Sequence, residues 1–354
     1  MSGTSDVTEK LRVVVATPLI PELCDLLAER EPRIELLVDQ DLLPPMRWPG
    51  DHEGDPTFSR TPDQQAAFDA LVDSADALYG IPDTNPRALA RTVAANPRLR
   101  WVHTMAAGGG GQIKAAGLAQ EDLDRIAWST SAGPHSGPLA EFAVFGVLAG
   151  AKDLHRLQAL KAERSWPTRW AMRQVHEMTV VVVGLGAIGQ GIVSRFKALG
   201  ARVVGVNRSI KDVDVDELYT TDELVEACRG ADAIVLALPG TATTEGLVGE
   251  QALDAAAPGV IVVNVGRGSS LDEDALISRL ESGQVGFAAL DVTSVEPLAP
   301  DSPLWGFDNV VIAPHTAALN AGEDRAIAEM FAENARRLLD GEPLVNAVNT
   351  VEFY

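Results

Sequence analysis

The sequence predicts an α/β protein of two domains, one inserted into the other, and three observations predict it. Strand-like β-branched runs alternate with amphipathic helical stretches along nearly the whole chain, the rhythm of parallel sheets crossed over by helices. At 354 residues the chain is too long for one ordinary core. A strand, turn, helix, strand unit with its own glycine fingerprint begins only near Thr179, after a first series of strands and helices is already complete.

Leu11 to Thr17 (LRVVVAT) is a strand, and Pro21 to Glu31 is a helix opened by proline, whose missing N–H costs nothing in a first turn. Ile34 to Val38 is the next strand. Residues 39 to 62 are rich in proline, glycine and charge and carry no period, which marks a functional or decorating loop. Its Arg47, Trp48 and His52 could reach a substrate; a surface excursion packed by its own tryptophan is the favoured reading. Asp63 to Ser74 is an amphipathic helix, Ala77 to Ile81 a strand, and Asn85 to Ala95 a helix with Asn85 as cap and Pro86 as first residue. Leu99 to Met105 is a strand that runs into Ala106, Ala107 and the glycines Gly108 to Gly111. A carboxylate cradle of backbone N–H groups and a flexible loop are equally good readings of that run. His103 alternates within the strand and reads as structural rather than catalytic. Ala127 to Ser131 is a strand, Gly133 to Pro138 a linker of breakers, and a long helix starts near Leu139 and runs past Arg156. Leu154 to Met178, with Trp166 and Trp170 among basic residues, reads as an arm that covers something, a partner subunit among the candidates.

Thr179 to Ser209 is the centre of the second domain. Val180 to Val183 is the β-branched run a fully buried parallel strand needs, and it breaks at Gly184-Leu185-Gly186-Ala187-Ile188-Gly189. In this GxGxxG, Gly184 permits the turn, Gly186 lets a pyrophosphate approach, and Gly189 lets the helix lie close to the strand, its dipole facing the anion. The ligand implied is a dinucleotide, and the fold a Rossmann domain over residues 139 to 319, inserted into a flavodoxin-like parallel α/β domain of residues 1 to 138 and 320 to 354. The second strand, Arg202 to Val206, ends at Asn207, where an NAD-binding unit usually carries Asp or Glu for the ribose 2′-hydroxyl. Arg208, Ser209 and Lys211 follow, donors for a 2′-phosphate with no carboxylate to repel it, so NADP(H) is favoured. NAD(H) stays open, with Arg208 then a plain loop cation. Strands continue at Ala233 to Leu238, Val260 to Val265, Gly286 to Val292 and Val310 to Ala313, with helices near 221 to 229, 249 to 256 and 272 to 282. A last amphipathic helix, Ala321 to Asp340, is expected to return to the first domain.

A net charge of −21 argues against nucleic acid or an anionic membrane as partner. The two cysteines, Cys24 and Cys228, lie far apart without metal-ligand spacing, and suit a reducing cytoplasm. No signal peptide is read at MSGTSDVTEKLR, and Phe142 to Ala151, the longest apolar stretch, is too short to span a bilayer.

Three stretches with polar residues stand at ends of second-domain strands, where open α/β sheets bind ligands. Arg267, flanked by glycines in VNVGRG, is suited to clamp an α-carboxylate and a carbonyl oxygen together. Asp291 and Glu296 in LDVTSVEPL supply carboxylates, and APHTA supplies His315. With GLGAIG, WVHTMAAGG and GPLAEFAVFGVLAGAK these motifs make the chain, from roughly Trp101 to Asp340, resemble the D-isomer-specific 2-hydroxyacid dehydrogenases. The resemblance implies a two-domain enzyme, usually dimeric, with its active site in the interdomain cleft. It implies that Arg267 orients substrate, Glu296 pairs with the catalytic histidine and His315 moves the proton. It further implies Asp291 near the nicotinamide carboxamide, Pro239 and Thr241 along the cofactor, and Ala107 and Gly108 at the substrate carboxylate. Two departures touch the substrate side: the glycines at 108 to 111 replace a pattern that more often carries Val-Asp, and residues 39 to 62 have no counterpart. The particular 2-oxo acid is therefore left open.

Reduction of a 2-oxo acid puts negative charge on the carbonyl oxygen; Arg267 stabilises it and His315, beside Glu296, donates the proton. A cofactor-sensing, corepressor-like binding protein on the same scaffold is the alternative, although no basic stripe supports it. None of Tyr79, Tyr219 and Tyr354 has a lysine four residues on, so a short-chain Tyr/Lys pair is absent. Zinc alcohol dehydrogenases need thiolate ligands that this chain lacks.

Overall fold

The computed structural model describes residues 10–210 and 212–353; expectations that fall on Met1 to Glu9, Lys211 and Tyr354 lie outside the described residues. In chain order the elements are β1 (Leu11–Val15), α1 (Pro21–Arg30), β2 (Ile34–Leu37), α2 (Pro62–Val72), β3 (Ala77–Tyr79), α3 (Pro86–Ala95), β4 (Trp101–Thr104), α4 (Gly110–Ala115), α5 (Gln120–Arg125), β5 (Ala127–Thr130), α6 (Ala132–Ala151) and α7 (Leu154–Glu163). There follow β6 (Thr179–Val183), α8 (Ala187–Ala198), β7 (Arg202–Asn207), β8 (Glu217–Thr220), α9 (Leu224–Ala227), β9 (Ala233–Leu236), α10 (Glu250–Ala255), β10 (Val260–Asn264), α11 (Glu273–Ser282), β11 (Val285–Leu290), β12 (Val310–Ile312) and α12 (Glu323–Asp340). Contacts divide the chain into two compact units, Met1–Pro134 with Leu319–Tyr354, and His135–Ala318. Among the described residues no helix is long and apolar enough to cross a membrane.

The first unit is a parallel sheet in the order β2-β1-β3-β4-β5, the flavodoxin-like order. Its inner strands β1, β3 and β4 are short runs rich in Val, Leu, Trp and Ala, almost wholly buried as a helix-covered parallel sheet requires. The C-terminal helix α12 belongs here: Ile327, Ala328, Phe331 and Ala335 are fully buried, and Phe331 stacks on Trp101 at 4.3 Å. Asn85 caps α3 by accepting from the Arg87 N–H, and Pro86 takes the first helical position.

The second unit is a parallel sheet in the order β12-β11-β10-β9-β6-β7-β8. Chain order reverses between β6 and β9, and a ligand crevice opens beyond the carboxyl ends of strands at such a switch. The whole of β10 is buried, and so are Val180 to Val183 of β6. Helix α6 lies close on this sheet because it carries glycines there. A Cβ at Gly146 would meet Val263 and Ala289 side chains at 2.8 Å, and one at Gly150 would meet Ile261 at 2.7 Å.

Several expected boundaries are corrected. The stretch Gly133 to Pro138 is not a linker but the first turns of α6, which starts at Ala132 instead of near Leu139. Pro134 falls in the first turn, where no N–H is needed; Pro138 forfeits a bond, a loss offset by burial of Leu139, Ala140, Ala143 and Val147. Nor does that helix run past Arg156: it stops at Ala151, Asp153 takes a left-handed φ of 53°, and α7 begins afresh. Strand β8 was not expected; it is a short edge strand with no fully buried residue.

Candidate functional site

In the second unit the fingerprint turn follows β6, and each glycine has a physical reason. Gly184 has a φ of +97°, and a Cβ on it would sit 2.7 Å from the Ala237 carbonyl oxygen. A Cβ on Gly189 would fall 1.8 Å from the Gly184 carbonyl oxygen, so only hydrogen lets α8 pack this close. Gly186, which caps α8, is exposed and has no heavy atom within 4 Å of its missing Cβ. Ala187 is exposed and Ile188 half-buried behind it. The N-terminus of a 12-residue helix thus faces an open, uncluttered surface, which fits the pyrophosphate of a dinucleotide.

Asn207, at the end of β7, accepts from the Leu185 N–H at 3.2 Å and donates to the Ser209 carbonyl at 2.8 Å. It therefore braces the two turns and brings no negative charge to a ribose site. Arg208 and Ser209 are exposed on the same turn. The Pro239 to Thr241 turn is braced by Thr244, whose hydroxyl donates to the Pro239 carbonyl at 2.6 Å and accepts from the Thr241 N–H at 2.9 Å.

The polar centre is built on the loops after β10, β11 and β12. Arg267 is largely buried, so it is not a surface cation; burial pulls its pKa below the ordinary guanidinium value, while Glu296 and Asp291 push the other way. A guanidinium retains its charge through such a shift. The Arg267 Nη1 donates to the Gly266 carbonyl at 2.8 Å, and the side-chain stem passes the Gly240 turn, where an added Cβ would lie 3.3 Å from Arg267 Cγ. Asn264, fully buried, clamps the turn by accepting from Gly266 N–H at 3.0 Å and donating to the Arg267 carbonyl at 3.1 Å.

His315 stands on a left-handed backbone, φ 52°, unusual for a residue with a Cβ. Asp291 holds it there. The Asp291 carbonyl accepts the His315 N–H at 2.9 Å, and its Oδ1 accepts the N–H groups of Thr316 and Ala317, each at 2.9 Å. Burial raises the Asp291 carboxyl pKa, and those two N–H groups draw it back down. His315 Nδ1 lies 2.8 Å from Glu296 Oε2, leaving Nε2 as the ring atom that can face a substrate. The His315 side chain is 47% exposed and that of Glu296 38%, so the pair is open to a small molecule.

Ala107 and Gly108 belong to the first unit, on the turn between β4 and α4, Ala107 half-buried and Gly108 exposed. His103 is enclosed there between the hydroxyls of Ser129 at 2.8 Å and Ser131 at 3.0 Å, and burial pushes its pKa down to about 3. In the 39 to 62 loop, Arg47 grips Asp51 at 2.7 Å and lies 4.1 Å over the half-exposed Trp48 ring. His52 faces Glu323 at 3.6 Å and Asp324 at 3.9 Å. Among the described residues no group of three or more His, Cys, Asp or Glu side chains could hold a metal ion.

Sequence reasoning gave no role to Asn264, which clamps the Arg267 turn. Its signal was present: a lone amide ending the otherwise apolar run VIVVN, where a buried polar side chain must have partners.

Family and relatives make the chain an α/β oxidoreductase that uses NAD or NADP. The model of the D-isomer specific 2-hydroxyacid dehydrogenase NAD binding domain matches residues 144–317, and the chain belongs to the D-isomer specific 2-hydroxyacid dehydrogenase family. It is 32% identical over 237 residues to a Corynebacterium melassecola protein known only as an uncharacterized protein, covering 65% of this chain and 77% of that one. It is 35% identical over 286 residues to a D-3-phosphoglycerate dehydrogenase of Mycobacterium tuberculosis, covering 79% of this chain; it spans about half, 52%, of that relative's length. Among solved structures, a D-isomer specific 2-hydroxyacid dehydrogenase from Xanthobacter autotrophicus Py2 in complex with NADPH and MES is 28% identical, with a TM-score of 0.75 over 98% of this chain and 100% of that one. A probable 2-hydroxyacid dehydrogenase from Rhizobium etli, in complex with NADP, HEPES and L(+)-tartaric acid, is 25% identical with a TM-score of 0.73, covering 98% and 100%.

Proposed function

We propose that this protein reduces a small 2-oxo acid to the D-2-hydroxy acid, reversibly, and that it prefers NADPH. The observation that carries the proposal is the 2.8 Å contact between His315 Nδ1 and Glu296 Oε2 in the same unit as the largely buried Arg267. Gly184, Gly186, Ala187, Ile188 and Gly189 would hold the cofactor pyrophosphate, Asn207, Arg208 and Ser209 the adenosine ribose, Pro239 and Thr241 the chain between, and Asp291 the carboxamide. When bound, a reduced nicotinamide supplies the hydride that reduces the carbonyl carbon.

The protein's own residues do the rest. Arg267 binds the substrate carboxylate and stabilises the charge that grows on the carbonyl oxygen, an effect strengthened by its burial. Ala107 and Gly108, on the turn after β4, would bind a carboxylate through their backbone N–H groups. Glu296 accepts a hydrogen bond from the Nδ1–H of His315, which fixes the ring and leaves Nε2 to deliver a proton to the oxygen, or to remove one in the reverse direction. NADPH preference is supported by the uncharged Asn207 beside Arg208, and by NADPH and NADP in the Xanthobacter and Rhizobium relatives. A homodimer in the cytoplasm completes the reading. It is supported by α7, none of whose residues is buried, by Trp166 at 98% exposure, and by the two free, buried thiols.

The test follows NADPH and NADH absorbance with glyoxylate, hydroxypyruvate, pyruvate and bulkier 2-oxo acids. Oxidation of NADPH by at least one is expected; oxidation by none overturns the proposal in favour of a cofactor-sensing binding protein. Arg208→Asp should move the ratio of the two kcat/KM values toward NADH about tenfold, the worth of one charge-assisted contact. An unchanged ratio would refute the cofactor preference.

A further inference from the structure

Arg267 and Glu296 stand on different loops, after β10 and after β11, and the two loops meet at one backbone contact. A Cβ on Gly268 would lie 1.8 Å from the Thr293 carbonyl oxygen and 2.0 Å from its carbon, so the approach is possible only for glycine. From there Thr293 folds back on Glu296. Its N–H donates to Glu296 Oε1 at 3.2 Å, and its hydroxyl donates to the Val295 carbonyl at 2.9 Å, closing a turn in which Oε2 is left for His315. Thr293 is only 9% exposed. The next residue is moored as well: the Ser294 N–H and hydroxyl both donate to Glu273 Oε2, at 3.0 and 2.9 Å. On the other side of the contact Arg267 is fixed by Ser270, whose hydroxyl donates to the Arg267 carbonyl at 2.7 Å.

We propose that the Gly268–Thr293 contact is a joint that keeps the Glu296 carboxylate in register with Arg267, and that Thr293 is a positioning residue for the reaction. The proposal rests on the catalytic reading of His315 and Glu296 given above. The reason is conformational: a half-exposed glutamate samples many rotamers, and holding Oε1 selects the one that faces Nδ1. Without the Thr293 hydroxyl the turn loosens, Glu296 wanders, and His315 no longer keeps one tautomer.

The experiment compares Thr293→Val, which removes the hydroxyl at constant shape, with Thr293→Ser, which keeps it. Two readouts are used on the full chain: kcat and KM for a reduced 2-oxo acid with NADPH, and the 15N shifts of the His315 ring. Expected for Thr293→Val are a fall in kcat of about tenfold with KM changed less than about twofold, and ring signals of mixed tautomers. Thr293→Ser should recover most of the rate and the single Nδ1-protonated tautomer. Unchanged kcat and ring signals in Thr293→Val would overturn the proposal, as would a Thr293→Ser variant as impaired as the valine. If the wild type reduces no 2-oxo acid, the functional reading falls while the ring signals still decide whether the joint holds Glu296.

Discussion

Each unit of the chain ends a buried parallel strand in a turn rich in glycine that leads into a helix, and the two turns are built differently. After β6, Gly184 needs its positive φ and Gly189 touches the Gly184 carbonyl, so the glycines are demanded by backbone against backbone. After β4, the three atoms nearest to a Cβ on Gly109 would all belong to the Thr104 side chain, and at Gly111 it would meet nothing within 4 Å. The first turn opens a helix of 12 residues, the second one of six, with correspondingly less aligned dipole. Two histidines, His103 within β4 and His315 on the loop after β12, repeat the lesson. His103 is sealed between two serine hydroxyls, whereas His315 is half-exposed on a strained backbone with a carboxylate at one ring nitrogen. What distinguishes a reactive group from a structural one is its neighbours, not its residue type or its place at a strand.

The largest contrast is expected between those histidines. His315→Ala should lower kcat by about 10²–10⁴-fold with NADPH still bound by fluorescence titration; His103→Gln should leave the rate per folded molecule intact. Retained turnover in the first would remove His315 from proton transfer. Arg267→Ala should lose substrate as well as rate, read as a higher KM together with a lower kcat. Gly189→Ala comes next, since its methyl has no room: cofactor affinity should fall about tenfold or more, from roughly 1–3 kcal/mol of overpacking.

Acid provides a third way to separate the regions. Burial holds the His103 pKa at about 3, below its ordinary 6.5, so the unfolded chain takes up a proton there that the native one refuses. Stability is therefore lost as pH falls from 6.5 toward 3, by about 1.4 kcal/mol per pH unit for this one group. Chemical denaturation across that window should give a shallower slope for His103→Gln, and an equal slope would show that His103 is not the group responsible. The smallest effect is expected at Gly111→Ala. With open space around it and a helix position, the change should raise stability by up to about 1 kcal/mol and leave kcat alone.

The fold was legible because buried parallel strands announce themselves: the runs at Val180 to Val183 and Val260 to Val263 can hardly be anything else. Edge strand β8 lacked that signal, since ELYT is half-exposed and carries two polar residues of four. The start of α6 was hidden by Gly133, Pro134, Gly137 and Pro138, which read as breakers until their position in the first turns and the burial beyond them are known. Arg267, Glu296 and His315 could be singled out because each follows a strand. Gly268 and Thr293 could not, since their contact joins residues 25 apart through backbone atoms, and no side-chain pattern encodes that.

Helix α6 has a further consequence. It rests on Ile261, Val263, Phe287 and Ala289, the strands whose far ends carry Arg267 and Asp291, and it can do so only because two of its positions lack side chains. A methyl group at Gly146 would press on the sheet from behind and tilt β10 against β11. Arg267 and Asp291 would then shift through a change that touches neither of them, so the sensitivity of the proposed chemistry extends to the back of the sheet.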